Sequence, residues 1–189
     1  METLLSYLEY EKVYDLASNK LNSETNWDQY YFKWLYYLSG YQTKKVTIDE
    51  ALLQITKLLQ ETTDYELNKN YLLARIQNSL VVLYSLKKEY SKSLFYYNKI
   101  DLDILGSNFM FDSNTFKLKV IFNKVKTIYD MESYKDAIEI AITGIAESVK
   151  TKKMTYMGNF YYYLGQCYEK LGYSEEDIKS SVQKSLWKY

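Results

Sequence analysis

Histidine and proline are both absent from this chain of 189 residues, and cysteine occurs once, at position 167. Without histidine, the commonest general base and the commonest metal ligand are missing. One cysteine allows no disulfide framework and no paired thiolate site, and it has no imidazole to activate it as a nucleophile. There is also no glycine-rich phosphate loop and no GxSxG elbow. The visible carboxylate clusters, Asp49–Glu50 and Glu175–Glu176–Asp177, stand at expected helix starts, where the helix dipole and capping account for them. The expectation is therefore a protein without enzymatic activity, with no catalytic residue, metal site or cofactor.

Charge of one sign is lacking too. Basic and acidic residues balance at 24 each, so the chain as a whole carries no electrostatic footprint for nucleic acid. Lysines gather at 117–126 (KLKVIFNKVK) and 150–153 (KTKK), and clusters of that size read as solvated helix faces. No apolar run approaches a membrane-spanning length, and the opening METLLSYLEYEKVYDL has acids where a secretory signal needs a basic flank. A cytoplasmic protein without membrane contact is expected. The missing proline, a residue that breaks helix interiors, fits a chain that is helical almost throughout.

What the chain has in abundance is tyrosine, 23 residues, and a repeated pattern. Stretches 84–100, 128–144 and 168–184 each run from the end of one helix through a short polar turn with a tyrosine into a second helix, and TIDEALLQITKLL at 47–59 is a fainter copy. The turn positions Ile48, Tyr90, Tyr134 and Tyr173 are separated by 42, 44 and 39 residues. A period of this size marks stacked helix pairs, none of which can bury its apolar face alone. Capping boxes locate helix starts at Thr47/Glu50, Thr63/Glu66, Ser133/Asp136 and Ser174/Asp177. The resulting expectation is all-α: an opening helix near 2–21, then pairs at 26–40 and 48–61, 65–87 and 90–100, 113–131 and 134–150, and 153–171 and 174–187. Gly172 suits a left-handed helix end, and 101–112 is the longest expected loop. No Pro-, Gly- or Ser-rich linker divides the chain, so 1–189 reads as one domain, a right-handed tetratricopeptide-like α-solenoid of about four hairpins plus an N-terminal helix.

Small residues support the packing of the pairs. Ala137, Ala141 and Gly144 share one helix face, Ser93, Asp177 and Ser181 occupy related places, and Gly165 and Tyr168 fall where the tetratricopeptide pattern has its small and aromatic residues. The period exceeds the standard 34 residues, and Asp177 replaces the usual alanine, which predicts longer helices and a less regular stack. Residues 150–186 resemble the last repeats of the regulatory domain of PlcR- and Rgg-type transcription regulators of Gram-positive bacteria, the Rap/Rgg/NprR/PlcR/PrgX superfamily. The resemblance rests on Gly158, Asn159, Phe160, Tyr161, Tyr162, Gly165 and the Ser174–Asp177 turn, and extends loosely over the whole chain. It implies a quorum-sensing transcription regulator whose tetratricopeptide-like domain binds a short signalling peptide. Members of the superfamily join that domain to an N-terminal helix-turn-helix domain. Here the repeats begin near Tyr10, so any contact with DNA is expected only through a helix-turn-helix absent from this chain.

Physical reasoning selects the peptide-contacting residues. First helices of stacked pairs line the concave side, and an extended peptide there needs its backbone groups satisfied by side-chain amides, which donate and accept at once. Asn78, Asn123 and Asn159 recur in successive first helices, with Gln166 seven residues beyond Asn159 on the same face. Arg75, Lys119 and Lys126 project to that side and can receive a peptide carboxylate. Tyr129 and Tyr162, with Phe122, can form pockets for apolar peptide side chains, although core packing competes for Phe122. Two functions follow from these residues. One is a peptide-pheromone-binding domain that dimerises through terminal helices, with Trp187 and Tyr189 as candidate contacts; the other is a general tetratricopeptide-like scaffold for another protein.

Overall fold

A computed structural model describes residues 9–22, 26–61, 71–103, 112–176 and 179. Among these residues the regular structure is entirely helical, in eight α-helices: α1 (Tyr10–Ser18), α2 (Asn26–Gln42), α3 (Ile48–Glu61), α4 (Leu72–Leu86), α5 (Tyr90–Tyr97), α6 (Ser113–Asp130), α7 (Tyr134–Thr151) and α8 (Met157–Lys170). The pairs expected from the period are all present up to α8. The closing helix expected at 174–187, the Thr63/Glu66 box, Asp177, Ser181, Trp187 and Tyr189 lie wholly or largely outside the described residues. The chain forms two compact units, Met1–Lys88 with α1–α4 and Glu89–Tyr189 with α5–α8.

The repeat is written most regularly in the backbone of the turns. Lys44, Lys88, Glu132 and Gly172 each adopt a left-handed conformation, with φ of 60°, 61°, 63° and 72°, at intervals of 44, 44 and 40 residues. Each closes the first helix of a pair. Ser133 N donates to Ile128 O at 3.2 Å and Tyr173 N to Tyr168 O at 3.1 Å, so the last turn is sealed by a bond reaching back five residues. Only Gly172 adopts this conformation without steric cost.

Caps behave in part as the sequence suggests. Thr47 Oγ1 accepts from Glu50 N at 3.2 Å. At Ser133 the hydroxyl instead donates to Asp136 Oδ2 at 2.7 Å and caps no backbone N–H, because the carboxylate is the stronger acceptor within reach. An unforeseen cap at Asp112 starts α6: its carboxylate accepts from Thr115 N and Thr115 Oγ1, at 3.2 and 2.7 Å, and from Lys153 Nζ at 2.9 Å. Burial tends to raise the Asp112 pKa, but the bonds from Lys153 and Thr115 outweigh it and hold the carboxyl below its ordinary range.

In the first unit Leu35, Ile55, Ile76, Leu80 and Leu83 are fully buried, and Trp34 Nε1 donates to Ser79 Oγ at 2.9 Å. In the second unit α6, α7 and α8 enclose Leu118, Ile121, Val125, Ala141, Ile145, Phe160, Leu164 and Tyr168. Ala137, Ala141 and Gly144 are buried as expected. At Gly144 the α7 backbone lies against the Phe160 ring: a Cβ there would stand 2.4 Å from Phe160 Cζ. Gly165 differs from the tetratricopeptide expectation, since an added Cβ would meet nothing within 4 Å among the described residues. Cys167 is buried beside Ile128 and Ala137, and burial pushes its thiol up to about 11. Lys117 and Glu147 join α6 to α7 by an ion pair at 3.0 Å, with side chains only 13% and 16% exposed.

Candidate functional site

The second unit's two first helices, α6 and α8, share a continuous aromatic face. Helical spacing places Lys119, Phe122, Lys126 and Tyr129 along one side of α6, and Tyr156, Asn159, Tyr163, Gln166 and Lys170 along one side of α8. The rings meet across the two helices. Phe122 stacks on Tyr156 at 5.5 Å and leans on Tyr163 at 5.8 Å. Tyr163 in turn meets Tyr129 edge-on at 5.1 Å, and Tyr129 meets Tyr134 at 5.4 Å. Phe122, Tyr129, Tyr134, Tyr156 and Tyr163 are all partly exposed, whereas Phe160 beneath them is fully buried. The row is thus the outer layer of the core, partly exposed and seated on Phe160.

Among the residues singled out from sequence, the structure brings Phe122 and Tyr129 together, but through Tyr163 rather than directly. Tyr162 stands at the margin, 61% exposed, with its ring edge-on to Tyr163 at 5.3 Å. Asn159 is exposed, Asn123 is half-buried on α6, and Gln166 Nε2 donates to Glu169 Oε2 at 3.4 Å. Lys119 is exposed, and Lys126 spans to Asp130 Oδ2 at 2.8 Å. Asn78 and Arg75 belong to α4 in the first unit, where they are 5% and 7% exposed. The Arg75 carbonyl accepts from Ser79 Oγ at 3.0 Å.

Tyr163 and Tyr156 are members of the aromatic row that the sequence reading did not single out. The signal was there: Tyr163 is four residues after Asn159 and three before Gln166, on the same helical stripe, whereas Tyr162 is rotated about 100° away. Tyr163 is the hub of the row, and burial, followed by the charge of Asp130, pushes its phenol up to about 12. Burial likewise raises the Tyr129 phenol, against the opposing charge of Lys170. Both phenols therefore stay protonated at neutral pH. Among the described residues no three His, Cys, Asp or Glu side chains gather as metal ligands would, and no helix is long and apolar enough to cross a membrane.

The same fold occurs in crystal structures of PlcR from Bacillus thuringiensis. One, in complex with the peptide PapR7 and DNA, is 26% identical, with a TM-score of 0.74 over 98% of this chain and 65% of that one. The apo form is 24% identical, with a TM-score of 0.76 over 97% of this chain and 67% of that one. The chain thus spans about two thirds of the PlcR length. No significant match is found among curated protein sequences. Residues 1–189 match the RNPP family C-terminal domain from end to end, and the chain belongs to that family.

Proposed function

We propose that this chain is the peptide-sensing regulatory domain of a Gram-positive transcription regulator, and that its α6–α8 face grips an extended stretch of a short signalling peptide. The observation that carries this reading is the ring-to-ring row from Tyr156 to Tyr134, bordered by the amides Asn123, Asn159 and Gln166. Aromatic faces offer large contact area for apolar peptide side chains with few rotatable bonds to freeze. The amides offer paired donors and acceptors to the peptide backbone. Family membership supports the reading, as does the likeness to PlcR, whose crystallised complex holds PapR7 and DNA. In the same proposal the chain works as one regulatory domain of a cytoplasmic homodimer. DNA is reached through a helix-turn-helix domain of the kind the family carries, not through these residues. Lys119 and Lys126 serve a peptide carboxylate. This face is proposed without Asn78 and Arg75, which are buried in α4 of the first unit.

Calorimetry with synthetic peptides encoded by small reading frames beside the gene tests the proposal. One neutral hydrogen bond contributes about 0.5–1.5 kcal/mol, so Asn159→Ala should weaken binding roughly two- to tenfold. Unchanged affinity in the variant would remove Asn159 from the site. Capture of a folded protein partner with no peptide bound at all would favour the general scaffold instead.

A further inference from the structure

One residue joins α6, α7 and α8 at the end where the aromatic row begins. Lys153 follows the C-terminus of α7, where the left-handed Lys152 has turned the chain, and its backbone N–H donates to Ser148 O at 3.0 Å. Ser148 is fully buried and donates its hydroxyl to Gly144 O at 2.8 Å, so this anchor is set in the core face of α7. The Lys153 side chain reaches α6. Its ammonium donates to Asp112 Oδ2 at 2.9 Å, on the carboxylate that caps α6 through Thr115 N. Tyr156, three residues further on and immediately before α8, stacks on Phe122 of α6 at 5.5 Å. The bridge and the first ring contact of the row thus close one short circuit between α6 and the start of α8. Ring contacts leave that spacing soft, because aromatic pairs attract over centroid separations of about 4.5–7 Å. A charge-assisted hydrogen bond is directional and held to about 2.7–2.9 Å, so it fixes what the rings do not. At the far end of the row Lys126 pairs with Asp130 inside α6, a contact that spans no two helices.

We propose that Lys153 and Asp112 are positioning residues of the peptide site: their bridge sets the spacing of α6 and α8 at Phe122 and Tyr156, and so the width of the face offered to the peptide, without touching the peptide. This rests on the reading of the α6–α8 face as a peptide site, whereas the hold of the bridge on the two rings is independent of that reading. With side chains 40% and 50% exposed, the bridge is partly solvated, and its loss relaxes the spacing without unfolding the unit.

A fluorinated tyrosine is placed at Tyr156 or, in a second sample, at Tyr134 of the whole chain, and its fluorine NMR resonance is read alongside calorimetry with the same synthetic peptides. Lys153→Gln and Asp112→Asn should each shift the Tyr156 resonance, leave that of Tyr134 in place and weaken peptide binding about two- to fivefold, the loss expected of a partly exposed ion pair. Lys153→Arg, which keeps the bond to Asp112, should restore both the resonance and the affinity. A Tyr156 resonance unmoved by Lys153→Gln and Asp112→Asn would overturn the bridge as a pin; if affinity nevertheless fell with Lys153→Gln alone, Lys153 would be a peptide contact instead. A moved resonance with unchanged affinity would overturn the positioning role and leave the peptide site standing. No peptide bound by the wild-type chain, with the Tyr156 resonance responding as expected, would overturn the peptide face and the positioning role with it, and leave the hold of the bridge on the rings intact.

Discussion

Replacing Gly144 with alanine tests whether the aromatic face is held in place by the close approach of α7 to α8. In a free helix this change stabilises, by about 1 kcal/mol, because glycine has the poorer helix propensity. Here the new methyl would stand 2.4, 2.5 and 2.8 Å from three atoms of the Phe160 ring. Ordinary carbon contacts lie near 3.5–4.0 Å, so the ring must retreat by more than about 1 Å. It cannot do so freely, since Phe160 is fully buried among Leu118, Ile121 and Leu164. Overpacking of this kind costs about 1–3 kcal/mol. Taking the upper end, because ring atoms cannot bend aside, and subtracting the propensity gain leaves about 2 kcal/mol of net destabilisation. For a chain of this length that is a fall in Tm of roughly 4–8 °C, readable by circular dichroism. Phe122, 6.4 Å from Phe160, should shift with it and lower peptide affinity. Gly144→Ala combined with Phe160→Leu should recover part of the loss, since the smaller side chain vacates the space the methyl takes. A Tm that stays level or rises in Gly144→Ala would refute the close approach, and with it the argument that Phe160 seats the aromatic row.

Glu132→Gly should stabilise the chain by about 0.5–1 kcal/mol in urea denaturation, by relieving a left-handed residue with a Cβ. Among the described residues Lys117→Met leaves Glu147 with only Lys150 at 3.9 Å, and should cost about 1–3 kcal/mol by the same assay; a neutral result would mean that the pair is fully solvated. The Cys167 thiol, fully buried and pushed up to about 11, should react with a thiol reagent at pH 8 only after denaturant is added; immediate reaction would contradict its burial. The folded-state pKa of Asp112 is depressed, so its contribution to stability is present at neutral pH and is lost as pH falls below about 4. Lys153→Met should therefore flatten the decline in Tm over that acid range, a change absent between pH 6 and 8.

The sequence by itself determined the helical class, the period, most helix boundaries among the described residues and the burial of Ala137, Ala141, Gly144 and Cys167. Each of these follows from local rules: missing proline, apolar spacing along one chain, capping residues and turn length. The helix expected from 65, by contrast, begins only at Leu72, after a left-handed Tyr71. It did not announce the left-handed turns at Lys44, Lys88 and Glu132, because those side chains carry no preference for that conformation and the packing of the pair imposes it. The proposed amides Asn123, Asn159 and Gln166 come from their recurrence along the chain, and the structure adds only that Asn159 is exposed and Asn123 half-buried. Tyr163 was passed over for Tyr162 because one residue of offset turns a helical side chain by about 100°, and the choice between neighbours depends on which of them the adjacent helix meets. Only the tertiary structure decided that Tyr163 links Phe122 to Tyr129, that Phe160 under Gly144 supports them, and that Lys126 pairs with Asp130. Those are relations between residues about 4 to 40 positions apart, set by how helices pack rather than by any one helix.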